Sequence, residues 1–234
     1  MKKNLERWLV AITLLGYTTA CKDAKTEKSS VTPTAKAEVD SSLLEGEISE
    51  NDKMSAILNV NLATESDLNK IGLASEVITT IIEKRPFLTM SAFDALIGSE
   101  IDKTELYKKV FVPFNLNTTA EADFKMIPGV GNRMAHEFKE YRPYKSMAQF
   151  HREIGKYVDK DEVARYENYV FVPIELNTAT ETDIKALPGV GNRMAHEFEE
   201  YRPYVSMAQF RKEIGKYVDD KELNRLERLV YLKE

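Results

Sequence analysis

Apolar residues recur along this chain at helical spacing, in short runs separated by turn residues. Phe150 and Ile154 stand four apart after Ser146-Met147-Ala148-Gln149. Met134, Ala135, Phe138 and Tyr141 form a stripe at i, i+1, i+4 and i+7. Both patterns predict short amphipathic helices with one buried face. The start signals repeat as well. Thr64-Glu65-Ser66-Asp67 and Thr180-Glu181-Thr182-Asp183 read as helix caps with an acid three residues on. Ala120 stands at the corresponding place in between and predicts a weaker start. Ser91-Ala92-Phe93-Asp94, Ser146-Met147-Ala148-Gln149 and Ser206-Met207-Ala208-Gln209 mark a later helix that ends near Gly98, Gly155 or Gly215. Arg85-Pro86, Arg142-Pro143 and Arg202-Pro203 stop the helix before it, because proline disfavours helix in the preceding residue. Phe111-Val112-Pro113-Phe114 and Phe171-Val172-Pro173-Ile174 read as extended joints.

These signals belong to one unit used three times. Residues 117–176 and 177–234 align without gaps at a spacing of 60, and 37 of the 58 aligned positions are identical. A diverged first copy begins at Asn61, its landmarks 56 or 57 residues before those of the second. That period is longer than in the common solenoids, so each copy is expected to be a small domain with its own core.

Copies two and three share one conspicuous stretch. It reads Ile127-Pro128-Gly129-Val130-Gly131-Asn132-Arg133 and Leu187-Pro188-Gly189-Val190-Gly191-Asn192-Arg193. Proline helps end one helix, and a second starts at once and runs to Tyr141 or Tyr201. The two glycines of each stretch are able to take positive φ and carry no side chain. Such a bend exposes the backbone N–H groups of the loop and of the next helix start, which together make an anion site. Arg133 and Arg193 add charge at the same end. The loop has no base-reading side chain, so a nucleic acid would be held by its phosphates and not read for sequence. A tight interhelical turn without any ligand is the plainer alternative. Glu137 and Glu197 lie four residues after Arg133 and Arg193 and are candidate ion-pair partners for them.

At these residues the sequence resembles the helix-hairpin-helix family, and most closely its ComEA-type competence DNA-receptor members. The resemblance rests on Asn177-Thr178-Ala179-Thr180 leading to Asp183, then Leu187-Pro188-Gly189-Val190-Gly191, Ala195 and Arg202. Copy two matches it at Asn117, Asp123, Pro128 to Gly131, Ala135 and Arg142. It implies an all-α chain of tandem small helix-hairpin-helix (SAM/ComEA-like) domains after a signal peptide and flexible tether. It also implies non-sequence-specific DNA binding through Gly129, Val130, Gly131, Asn132, Arg133, Gly189, Val190, Gly191, Asn192 and Arg193, with a second hairpin in each domain. Ile154-Gly155-Lys156-Tyr157 and Ile214-Gly215-Lys216-Tyr217 would be that second hairpin, with one glycine each. Copy one reads Ile71-Gly72-Leu73-Ala74-Ser75, one residue shorter and without the proline, which suggests a spacer or docking unit.

The N-terminus adds an address. Lys2, Lys3 and Arg7 precede a short apolar stretch from Trp8 to Tyr17, below the ~20 residues needed to span a bilayer. It runs into Thr18-Thr19-Ala20-Cys21, similar to a bacterial lipoprotein signal in which Cys21 becomes acylated; Thr18 stands where that family usually has leucine. The expected divisions are a signal peptide over 1–20, a tether over 21–55, and domains over 56–114, 115–174 and 175–234. Lys22 to Asp52 is rich in Lys, Ser, Thr and Glu and too polar to order itself. The expected location is the bacterial cell envelope, lipid-anchored.

Charge limits the reading. The chain carries 33 basic and 38 acidic side chains, a formal net charge of −5. Without residues 1–20 it has 30 basic against 37 acidic. A generic basic coat for nucleic acid is therefore excluded, and a local device must do any binding. One cysteine and three histidines leave too few soft ligands for a Cys/His zinc site. His136 and His196 read as solvated, and the Tyr141–Tyr144 and Tyr201–Tyr204 pairs as packing around the Arg-Pro turns. Gly129-Val130-Gly131 is not a dinucleotide loop, since Met134 takes the place of its third glycine. No nucleophile–base arrangement stands out, and no cofactor is expected. The expected partners are DNA, a membrane through the N-terminal lipid, and envelope channel, pilus-like or secretion proteins. The competing class is a protein-interaction module that binds no nucleic acid.

Overall fold

The computed structural model describes residues 57–233. The expected signal peptide, Cys21 and nearly all of the tether lie outside them. Among the described residues the chain is mainly helical, and no helix is long and apolar enough to cross a membrane.

Three passes of one pattern follow each other. The first runs β1 (Leu58–Asn59), α1 (Glu65–Lys70), α2 (Ser75–Lys84), α3 (Met90–Asp94), α4 (Lys103–Tyr107) and β2 (Val110–Phe111). The second runs β3 (Phe114–Asn115), a 3-10 turn (Asp123–Met126), α5 (Asn132–Glu140), α6 (Met147–Ile154), α7 (Lys160–Glu167) and β4 (Val170–Phe171). The third runs β5 (Ile174–Glu175), α8 (Glu181–Lys185), α9 (Asn192–Glu200), α10 (Met207–Ile214), α11 (Asp220–Glu227) and β6 (Val230–Tyr231).

The strands amend the purely α expectation. The first and last strands of each repeat pair in parallel, Leu58 with Val110, Phe114 with Val170 and Ile174 with Val230. Two main-chain bonds flank each pair, such as Phe114 N to Tyr169 O at 2.8 Å and Leu116 N to Phe171 O at 3.0 Å. The segments read as joints are extended, but they also seal the repeats. Val112-Pro113 and Val172-Pro173 are all that separates one seal from the next.

Local chemistry accounts for the helix starts. Thr64 and Thr180 each form a capping box with Asp67 and Asp183. Ala120 has no hydroxyl to offer, and there the chain makes only a 3-10 turn without a side-chain cap. Ser146 and Ser206 cap α6 and α10, whereas in the first repeat Thr89 takes that role and Ser91 falls inside α3.

A repeated frame fixes the Arg-Pro turns, whose peptide bonds are cis. Asn117 donates to Tyr144 O at 2.8 Å and accepts from Tyr144 N at 2.7 Å. Asn61 binds Phe87 and Asn177 binds Tyr204 in the same way. Arg202 reaches across to Leu176 O at 2.6 Å and Ala179 O at 2.9 Å, and Arg142 holds Leu116 O and Thr119 O. The first repeat departs here. Arg85 Nε and Nη2 are buried without a hydrogen-bond partner among the described residues, and burial pushes its guanidinium down to about 10.

The buried side chains form two clusters, not three. One runs through the first two repeats and the other fills the third together with Phe171 and Ile174. The junction is aromatic. Phe111 meets Phe114 and Tyr169 edge-on, with centroids 5.1 and 4.9 Å away. The row continues through Phe124 and Phe138 to Phe150 and Tyr166. Such edge contacts add ~1 kcal/mol each beyond area burial.

The caps give a paired prediction. Thr180→Ala should cost about 1 kcal/mol in denaturant unfolding, and Ala120→Thr should gain a similar amount by completing a box with Asp123. The Asp67 carboxyl is held below its ordinary value by the bonds from the Thr64 side chain and backbone. That cap therefore stabilises fully above the ordinary carboxylate range, and its contribution should fade as acid titrates Asp67.

Candidate functional site

Three equivalent bends stand where one helix meets the next: Gly72, Gly129 and Gly189, at φ of +89°, +82° and +70°. The bend is closed by Val130 N to Ile127 O at 3.0 Å and Val190 N to Leu187 O at 3.1 Å. The second glycine of the motif does something else. Gly131 and Gly191 are extended, at φ of −92° and −82°, and serve as N-caps of α5 and α9. The expectation of positive φ therefore holds for Gly129 and Gly189 only. In the first repeat Ala74 occupies the N-cap position two residues after Gly72, so its missing residue falls before the glycine and the bend itself survives.

Because the N-caps are Gly131 and Gly191, no side chain bonds the first turn of α5 or α9. Among the described residues the only other helix that starts so is α2, after Ala74. Every other α-helix has a Thr, Ser or Asp side chain accepting from its first turn. The first N–H groups of a helix have no acceptor within it. At the bends no N-cap side chain takes them up, and they lie on the positive end of the helix dipole.

Charge separates the three. The first turns of α5 and α9 contain no acid, and Arg133 and Arg193 stand exposed there. The first turn of α2 carries Glu76 where the others carry arginine, so it repels an anion. The Arg133 guanidinium turns to the Tyr157 ring, 5.8 Å from its centroid, and not to Glu137. Glu197 is buried in the third repeat, with Oε2 lacking a hydrogen-bond partner among the described residues.

Two further arginines reach the bends, and the sequence did not single them out. Arg225 of α11 donates to Pro188 O at 2.6 Å and Gly189 O at 3.3 Å, while Glu222 holds it from behind at 2.6 and 2.7 Å. Arg165 of α7 is gripped by Glu162 at 2.7 Å, which keeps its guanidinium charged. Its Nη2 would lie 3.3 Å from a Cβ placed on Gly129. In the sequence each is half of an ordinary i,i+3 pair; only the fold carries it to a bend 36 or 37 residues earlier.

The bends differ in what surrounds them. A Cβ on Gly131 would meet nothing within 4 Å, and Gly131 is exposed. Neither its φ nor its packing requires glycine. A shallow hollow of about 280 Å³ opens beside it, lined by Glu121, Ala122, Lys125, Asn132 and Ala135. A Cβ on Gly189 would lie 2.4 Å from Leu62 Cδ1 of the first repeat.

The other candidates resolve simply. Gly155 and Gly215 of the second hairpins have right-handed helical φ, and are glycine because a Cβ would press on His151 O or Arg211 O. Lys156 and Lys216 are spent on Glu153 and Glu213 and on the Tyr141 and Tyr201 rings. Tyr144 and Tyr204 are buried, while Tyr141 and Tyr201 bond Tyr157 and Tyr217, hydroxyl to hydroxyl, at 2.7 Å. His136 is exposed as expected but stands between Glu121 and Glu140, both 3.8 Å away. Among the described residues no group of three or more His, Cys, Asp or Glu is arranged to hold a metal ion. Searches of protein-family models, curated proteins and solved structures find no match to the chain.

The two clamps should differ in weight. Arg225 is almost wholly buried and Arg165 a third exposed. Arg225→Met should cost about 3 kcal/mol in urea unfolding, since it strands Glu222 and two carbonyls. Arg165→Met should cost clearly less.

Proposed function

We propose that this chain binds DNA without sequence preference, gripping backbone phosphate at the glycine bends that open α5 and α9. The described part would be a tandem array of helix-hairpin-helix domains, held at the bacterial cell envelope by acylated Cys21 and serving DNA uptake. One observation carries the reading. The helices that begin at bends are the ones whose first N–H groups have no side-chain acceptor, and in two of the three an arginine replaces the acid. A chain that caps its other α-helices and leaves these bare has kept a place for an outside anion.

Gly131 supports the same reading. Nothing in the fold needs a glycine there, and Ala74 shows that a side chain is tolerated at the equivalent position. A bare backbone is needed only if something must approach it closely. The acidic net charge opposes binding at long range, so affinity should be modest and salt-sensitive, with a slope of about −0.9 per phosphate contact.

The protein-interaction reading has its own supporting observation, the Leu62 side chain seated at Gly189. A bend that receives a leucine from a neighbouring repeat is working as a protein surface.

Gly131→Asp separates the two. Asp at this N-cap bonds the bare amides itself, so helix content should hold and stability should stay level or rise by a few tenths of a kcal/mol. The same carboxylate fills the anion site. In an anisotropy titration on random duplex DNA at two salt concentrations, the wild type should bind with salt sensitivity, and Gly131→Asp combined with the equivalent Gly191→Asp should lose most of that binding. Equal binding by both would remove the bends as the DNA site, and no binding by the wild type at low salt would leave the protein-interaction reading.

A further inference from the structure

We propose that the bend of the third repeat is a docking surface for the first repeat of the same chain, which leaves the bend at Gly129–Arg133 the more open of the two. Three contacts join the two ends of the array. Leu62, in the loop after β1, places its methyls where a side chain on Gly189 would stand, with Cδ1 and Cδ2 at 2.4 and 3.1 Å from that Cβ position. Lys221, at the start of α11, donates to Glu83 O of α2 at 3.2 Å. Arg228, just after α11, donates to Pro113 O at 3.2 Å, in the joint that closes the first repeat, and lies over the Phe171 ring at 5.2 Å.

The sequence singles out these same residues by difference. Leu62 stands where the later repeats have Thr118 and Thr178. Lys221 replaces Asp161, and Arg228 replaces Asn168. Copies two and three agree at 37 of 58 positions, yet both residues that reach out of the third copy are among those that differ. Each change supplies what its contact requires. Leucine sets two methyls against a glycine that stays exposed, with Leu62 itself 39% exposed, where threonine would be shorter and polar. The two cations bond main-chain carbonyls, where aspartate offers no donor and asparagine no charge.

The second repeat has no such cover. Its Gly129 is approached by Arg165 of its own repeat, and Gly131 faces open space. Gly131 is exposed and Gly191, its counterpart, is half-buried, while Gly129 and Gly189 are both exposed. The docking assignment stands on these contacts alone. Its consequence for DNA rests on the proposed function, which expects both bends to bind and is here weighted toward the second repeat.

The two bends supply their own control, because residues 128–135 and 188–195 have identical sequences and hence near-identical intrinsic exchange rates. The experiment is hydrogen–deuterium exchange on the full chain, comparing peptides over 127–135 and 187–195. The wild type should protect the later segment at least about tenfold more strongly. Leu62→Thr with Lys221→Asp uses residues that the other repeats already carry, so each repeat keeps its own fold. That variant should bring 187–195 to the rate of 127–135 and leave the latter unchanged. Equal protection in the wild type, or protection that survives the double change, overturns the docking.

A second arm follows duplex DNA. Gly131→Asp should remove most wild-type binding and Gly191→Asp almost none, until Leu62→Thr and Lys221→Asp are added and Gly191→Asp becomes damaging. A strong loss from Gly191→Asp alone counts against the docking. A wild type that binds no DNA refutes the DNA reading, and the exchange result then still decides the docking by itself.

Discussion

The structure depends on a seam of two residues. Each repeat is under 60 residues long and contains only short helices, too little to close a stable core on helix packing alone. Pairing the first and last strands in parallel fixes the ends together, and the backbone groups there find partners while Val, Phe and Ile side chains turn inward. The asparagine and arginine frame then ties the middle of the repeat to the segment just after its first strand. With both ends and the middle anchored, the bend between the first two helices is restrained through the elements it joins. Preorganisation of the proposed anion site would therefore come from the seam as much as from the bend.

Electrostatics explains how an acidic chain can keep such a site. Among the described residues several basic side chains are paired close by in sequence, as Lys156 is with Glu153, Lys216 with Glu213 and Arg165 with Glu162. What is left at the bend is not net charge but orientation: bare amides, a helix dipole and an arginine leaning on a tyrosine ring. A field built from dipoles falls off quickly with distance. In the proposed reading it would hold a phosphate that has arrived and do little to draw one in from afar.

Much of this was legible in the sequence where the cause is local. The Thr64 and Thr180 caps, the weak start near Ala120 and the Arg-Pro stops each depend on a few neighbouring residues, and the chain shows them. The position of the bend was legible too. What could not be read comes from distance along the chain. Two-residue strands are too short to carry an alternating pattern, so the seam looked like a joint. Gly129 and Gly131 are the same letter, and only the backbone shows that one turns left and the other lies extended. Arg165 and Arg225 looked like halves of local ion pairs because their second partners lie far upstream. The asymmetry of the two bends was invisible in the motif, since the motif is identical in both.

Closure sets a limit on growth. A further copy of the unit could be spliced after Tyr231 with its own seam intact, since each repeat brings both strands with it. Yet the third repeat spends Lys221 and Arg228 on folding back to the beginning of the array, and the first has only one Leu62 to give. An extra unit would either hang outside the loop or force it open.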